Sequence, residues 1–215
     1  MRKLIPMLLI LVIAGKGLQG QSTQVSRPNN IKGGFYMKFG PAFPVGDFNT
    51  TQYTIDEDGV LKTFDRSKAG LFGDFGYLIY IGPAFANNML RAGIDATFLS
   101  LGFTGSHHDV APDEDKVNYK YFFVGQKFGP LITVNPVDHL MLDFSWKLCL
   151  SISEFNEMYG LNMTQQEISM GLRYRIMAFS VNYQMGDLNF NKFDKEGKDQ
   201  IIQQNMVKIM FGLKF

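Results

Sequence analysis

From residue 140 the chain sets an apolar residue at every second position: Leu140, Leu142, Phe144, Trp146, Leu148 and Leu150. Asp143, Ser145, Lys147 and Cys149 fall between them. A period of two sorts side chains onto the two faces of a strand, whereas a helix would mix both sets on overlapping faces. The segment is therefore predicted as β-strand. The same rhythm returns at the far end, where Val207, Ile209, Phe211, Leu213 and Phe215 alternate with Lys208, Met210, Gly212 and Lys214.

Six further stretches repeat it. Phe35, Met37, Phe39, Phe43 and Val45 alternate with Tyr36, Lys38, Gly40 and Ala42. Leu71, Phe75, Tyr77, Ile79 and Ile81 oppose Asp74 and Gly76, and Leu90, Ala92, Ile94, Ala96 and Phe98 oppose Arg91, Gly93, Asp95 and Thr97. Ile168, Met170, Leu172, Tyr174 and Ile176 oppose Ser169, Gly171, Arg173 and Arg175, while Phe179, Val181, Tyr183 and Met185 oppose Ser180, Asn182 and Gln184. The segment near 119–134 is the least regular. Its register is set with Phe122, Val124 and Phe128 on one face and Gly125, Lys127 and Gly129 on the other.

Eight strands follow, and the links between them alternate in length. The long ones run 47–69, 104–118, 152–165 and 187–203; the short ones run 83–88, 135–138 and Arg175–Ala178. Long outer loops with short periplasmic turns are the asymmetry of transmembrane barrels, and an even strand count returns both ends to the periplasmic side. The expected fold is all-β, a closed eight-stranded antiparallel up-and-down transmembrane barrel. A soluble, lipocalin-like barrel also alternates, but it turns charge outward. Here the polar face mixes Lys38, Asp74, Arg91, Asp95, Lys127, Asp143, Lys147, Glu167, Arg173 and Lys208 with glycine and serine. Few charges among many small residues suit a narrow interior better than a wetted surface, which carries denser Lys and Glu. These ten residues are the expected lumen charge network: six cations and four anions, paired as a plug, because eight strands enclose little more than their own side chains.

Composition agrees with interleaving: hydrophobic residues make up 46% of the 215, and 22 glycines accompany 20 phenylalanines. No stretch after the N-terminus reaches the eighteen apolar residues of a spanning helix. Arg2 and Lys3, then the apolar run Leu4–Ala14, read as a secretory signal cut after Gly20; the run is about half the length a membrane span needs. The expected divisions are a signal peptide at 1–20, a polar lead-in at 21–32 and the barrel at 33–215. The single cysteine, Cys149, has no partner for an intramolecular disulfide in an oxidising envelope. A net charge of +1 gives no electrostatic footprint for nucleic acid.

With these segments in hand, the chain resembles bacterial outer-membrane β-barrel proteins of the small OmpX/OmpA-barrel type. Its opening strand, GGFYMKFGPAFPVGDF from Gly33, is similar to the first strand of the outer-membrane β-barrel domain families. The resemblance covers nearly all of 33–215. It implies residence in the cell outer membrane, with lipid and surface glycolipid as neighbours. It also implies that the last strand, VKIMFGLKF, is read by the barrel-insertion machinery, with Val207, Ile209, Phe211, Leu213 and Phe215 as the insertion signal. Activity does not follow from such a fold, which hosts adhesins, enzymes, pores and structural proteins alike.

Three features carry candidate chemistry. Ser106-His107-His108-Asp109, followed by Asp113-Glu114-Asp115, invites comparison with barrels that modify lipid through a Ser and a His at the outer rim. A working site needs a rigidly held base and an orienting group, and a polar loop supplies neither. The same run matches no metal-ligand spacing. The four long links carry net charges of −2, −3, −2 and −1, a surface for solvent or for divalent cations. Asp58-Gly59 and Glu196-Gly197 mark hairpins within the first and last of them, which closure of the barrel would let pair edge to edge as a protruding sheet. The expectation is a non-enzymatic cell-surface structural or binding protein that acts through its extracellular loops, with a side-chain-filled lumen and no cofactor, its protein or glycan partner not legible. A passive pore is the first alternative and a lipid-modifying enzyme the second.

Overall fold

The computed structural model describes residues 31–45, 53–55, 60–62, 69–108, 117–137, 139–155, 158–190, 200–203 and 205–215. The expected signal peptide, most of the lead-in, Asp109 and the acidic triplet lie outside the described residues. Twelve strands are described: β1 (Gly34–Pro44), β2 (Tyr53–Ile55), β3 (Val60–Lys62), β4 (Gly70–Tyr80), β5 (Leu90–His108), β6 (Val117–Val137), β7 (Leu140–Phe155), β8 (Met158–Tyr174), β9 (Met177–Met185), β10 (Asp187–Phe190), β11 (Gln200–Gln203) and β12 (Met206–Lys214). Eight of them close a barrel in the order β1-β12-β9-β8-β7-β6-β5-β4, every pair antiparallel. This is the meander that the eight alternating stripes predict.

The stripes also fall on the predicted sides. Phe39, Leu71, Tyr77, Phe98, Phe128, Phe144, Trp146, Ile168, Met170 and Phe211 are exposed on the outer wall, whereas Asp74, Asp95, Lys127, Lys147, Glu167 and Lys208 are buried. Phe122 outside and Lys127 inside show that the register chosen for the irregular fourth segment holds. An outer wall of this composition is stable only against hydrocarbon, and closure leaves no strand edge within the barrel ring.

The interior needs room as well as polarity, and glycines supply it. Gly76 is the cross-strand partner of Tyr36, and a side chain there would begin 2.4 Å from the Tyr36 hydroxyl. Gly102 likewise yields its space to the Phe72 ring, 2.2 Å from where a Cβ would stand. At one rim, called here the turn rim, β6 to β7 and β8 to β9 reverse through His139 and Arg175, both at positive φ (64° and 55°). The β4–β5 link turns through Ala86, Asn87 and Asn88, also left-handed.

Two expectations about the opposite rim need correction. The pattern predicts loops at 104–118 and 152–165, but β5 and β6 stay paired up to His108 and Val117, and β7 and β8 up to Phe155 and Met158. Two bulges hid the continuity by breaking the phase of the pattern. Phe98 is the extra residue where β5 slips against β4 and β6, and the Met163-Thr164 doublet is exposed where β8 slips against β7. Beyond each bulge the alternation resumes: Ser100 and Gly102 are buried and Leu101 and Phe103 exposed. Ser106-His107-His108 therefore lies on a paired strand. The two expected hairpins exist, as β2–β3 and β10–β11, but they form separate two-stranded sheets. Instead of joining β2–β3, the last hairpin leans on the wall, where Thr164 Oγ1 donates to the Asp187 carbonyl (3.0 Å).

Candidate functional site

Inward positions of six strands bring most of the expected charges together on the barrel axis. Glu167, in the middle of β8, stands directly across from Lys147 on β7. Its Oε1 is 3.0 Å from Lys147 Nζ, and its Oε2 is 2.9 Å from both Lys127 Nζ and Lys208 Nζ. One carboxylate thus meets three ammonium groups drawn from β6, β7 and β12. Two aspartates complete the balance. Asp74 accepts from Lys127 at 2.9 and 3.0 Å and from Ser100 Oγ at 2.6 Å. Asp95 lies 3.2 Å from Lys147 Nζ and accepts from the Tyr36 hydroxyl at 2.6 Å. Ser145 Oγ reaches its other oxygen at 3.2 Å. Three cations face three anions, and none of the six residues is more than 2% exposed. Burial of so many charges is tolerable only with this pairing, since each lone ion would carry a desolvation cost of several kcal/mol.

Lys208 also donates to Gln184 Oε1. Its ammonium sits 4.4 Å from the centre of the Phe72 ring and 5.9 Å from that of Phe123, so the hub is lidded by aromatic faces. Beside and beyond that lid the contacts among the described residues are between neutral groups: Ser153 is hydrogen-bonded to Tyr121 and Asn162, and Gln184 donates to Gln165.

A second cluster lies toward the turn rim. Arg173 Nη2 donates to Asp143 Oδ1 at 2.8 Å while its Nε donates to Oδ2, a two-pronged grip on one carboxylate. Thr133 Oγ1 donates to Asp143 Oδ1 (2.6 Å), and the Tyr80 hydroxyl links Thr133 (2.6 Å) to Arg173 Nη2 (2.7 Å).

The remaining two expected members stay apart from both clusters. Lys38 is the cross-strand partner of Asp74, but Asp74 is taken by Lys127. Lys38 has no ion pair among the described residues; its ammonium stands 4.8 Å from the centre of the Tyr36 ring. Arg91 closes the turn rim: Nη1 donates to the Ile31 carbonyl (2.6 Å), Nε to the Gly82 carbonyl (3.2 Å), and the guanidinium covers Tyr80. The neutral members, Tyr36, Tyr80 and Gln184, carry no charge to mark them in the sequence. Their inward parity, one residue out of step with the apolar stripe, was the signal available. The five residues of the expected insertion signal lie along the outward side of the last strand and just past its end, with Phe211 and Phe215 the most exposed.

Fold and lumen together define the class: a closed eight-stranded β-barrel of the outer-membrane type, lipid-facing outside and polar inside. No protein-family model matches the chain. Among curated proteins it is similar to the membrane protein insertase YidC of Shewanella halifaxensis, 28% identical over 120 residues; the match takes in 53% of this chain but spans only about a fifth (22%) of the insertase. Among solved structures it is similar to Ail, the attachment invasion locus protein of Yersinia pestis, at 12% identity over 86% of this chain and all of Ail, with a TM-score of 0.37. A second Ail structure, in complex with the heparin analogue sucrose octasulfate, gives the same identity and coverage and a TM-score of 0.40.

Proposed function

We propose that the protein is a non-enzymatic surface barrel of the cell outer membrane, which does not conduct and which acts through the part of its wall that rises beyond the bilayer. The observation that carries this reading is the lumen: Glu167, its three lysines and the aromatic rings above them occupy the axis at 0–3% exposure. An eight-stranded ring leaves no second path for ions once its axis is filled by side chains. What projects supports the second half of the reading. Strands of 9–11 residues suffice to cross a bilayer, yet β6 has 21, roughly 70 Å along the strand at about 3.3 Å per residue. A tall wall fits contact with a surface protein or glycan.

The test is ion current across a planar bilayer holding the full chain. Silence under applied voltage is expected, and steady channels would replace this reading with that of a small-solute pore. For the enzymatic alternative, replacing Ser106 and His108 together by Ala is expected to leave the lipid profile of the host membrane unchanged; an altered profile would restore it.

A further inference from the structure

The outer wall is not uniformly smooth. A groove of about 410 Å³ indents it across β5, β6 and β7, lined by Ile81, Ile94, Phe128, Pro130, Trp146 and Leu148, with backbone at Gly93 and Gly129 as its floor. Its depth follows from the sequence. Gly93 and Gly129 are inward positions, so between the outward side chains the floor is backbone alone. Pro130, cross-strand partner of Ile94, offers a short ring and no N–H for the ladder. Trp146 forms one tall bank, its ring fixed by the Nε1–H bond to Gln166 Oε1 (3.1 Å). The groove opens at Ile81, just past the end of β4 at the turn rim, and runs to Phe128 and Leu148 at mid-wall.

We infer that this groove seats one acyl chain of an anionic phospholipid of the turn-side leaflet. The inference rests on the reading that the outer wall faces lipid. Continuity with the apolar wall names hydrocarbon as the occupant, because the groove begins at a rim and ends inside the apolar band. Charge names the head group. Arg91 binds the carbonyl of Gly82, the residue after Ile81, and has no carboxylate partner among the described residues, while Lys32, next to the Ile31 whose carbonyl Arg91 also binds, is exposed on the same rim. A phosphate above the groove mouth would find these cations and no competing acid among the described residues beside Ile81. Moving a chain from bulk lipid into the groove exchanges one apolar medium for another, so packing and the head-group contact alone set the preference.

Trp146 is the chain's sole tryptophan, so its fluorescence reports the groove directly. The full-length protein is reconstituted in vesicles of unlabelled phosphatidylcholine. Increasing fractions of phospholipid brominated at mid-chain are then added, with either an anionic phosphatidylglycerol or a zwitterionic phosphatidylcholine head. For the wild type, half-maximal quenching is expected at an about threefold lower fraction of the anionic lipid than of the zwitterionic one. Pro130→Phe, which fills the groove, should bring the two curves together, and Arg91→Gln should do so without touching the lining. Ile94→Phe serves if Pro130→Phe fails to insert. Native mass spectra of the detergent-released wild type should carry one anionic phospholipid, absent from the groove-filled variant. Coincident curves for the two head groups in the wild type, or identical behaviour of wild type and groove-filled protein, overturn the inference. So does a lipid-free dimer, which would make a second copy the occupant. A Trp146 signal that no brominated lipid quenches would instead overturn the membrane reading beneath it.

Discussion

The two charge clusters of the lumen solve one problem in opposite ways. At mid-barrel a single carboxylate, Glu167, neutralises lysines from three strands. Near the turn rim one arginine holds one aspartate in a two-pronged grip, and neutral hydroxyls from Thr133 and Tyr80 close the circle. The hub is the drier of the two: Glu167 is fully buried, whereas the Asp143 side chain keeps 14% of its surface. A hub concentrates the balance of a whole cross-section on one residue, while a closed pair can fail without disturbing its neighbours. The barrel thus gathers four strands onto one carboxylate at the middle of its axis.

On that contrast, the hub should break hardest. Glu167→Leu strands Lys127 with Asp74, Lys147 with Asp95, and Lys208 with no anion. Loss of one member of a buried ion set costs about 3–5 kcal/mol, to be read from urea unfolding of the detergent-solubilised or vesicle-inserted barrel. Lys208→Met should cost clearly less, because Glu167 keeps two lysines and the new side chain still packs on Phe72 and Phe123. Equal losses for these two variants would show that no hub exists.

Next comes the closed pair. Asp143→Asn leaves Arg173 a hydroxyl partner in Tyr80 and a path to water at the rim, so a loss of about 1–3 kcal/mol is expected. Replacing Asp143 by Leu and Arg173 by Met together should recover part of it, as paired removal of buried ions does. The same paired strategy at Glu167 and Lys147 should recover little, since Lys127 and Lys208 still crowd the vacated point. Recovery of the same size at both places would erase the distinction.

How much of this could be read from the chain differs by level. The wall was legible because a period of two is a local property: Leu140 to Leu150 declare their face without reference to any other strand. The identities of the lumen residues were legible for the same reason, as the other half of each alternation. Their pairing was not. Lys38 faces Asp74 across β1 and β4, yet Asp74 binds Lys127 from two strands further round the ring, and Lys38 settles on Tyr36. Partner choice depends on how side chains of unequal length meet across a closed cross-section, which no single strand encodes. The height of β5–β8 was missed because the bulges at Phe98 and at Met163-Thr164 shift the phase of an alternation that in fact continues. Ser, Glu and Asn around 151–165 then mimic a loop. The groove was invisible, since Pro130 reads as a defect until Gly93, Gly129 and Trp146 are seen around it.

The smallest effects sharpen the contrast most finely, because each cluster contains a small buried hydroxyl donating to an aspartate at the same distance. Ser100 Oγ donates to Asp74 at the hub and Thr133 Oγ1 to Asp143 near the rim, both at 2.6 Å and both fully buried. Ser100→Ala removes a donor from a carboxylate that still holds Lys127 by two contacts. Thr133→Val keeps shape but removes the donor from Asp143 and the partner of Tyr80. A hydrogen bond to a charged acceptor is worth about 1.5–3 kcal/mol, near the low end where another donor remains. Thr133→Val is therefore expected to cost slightly more than Ser100→Ala, and both clearly less than Glu167→Leu, in the same urea titration. The order inverts the ranking of the clusters themselves: the hub's strength lies in its redundancy of cations, so its hydroxyl matters less. Should Ser100→Ala unfold the barrel as readily as Glu167→Leu, the mid-barrel site is a network held by every member alike, and Glu167 has no special place in it.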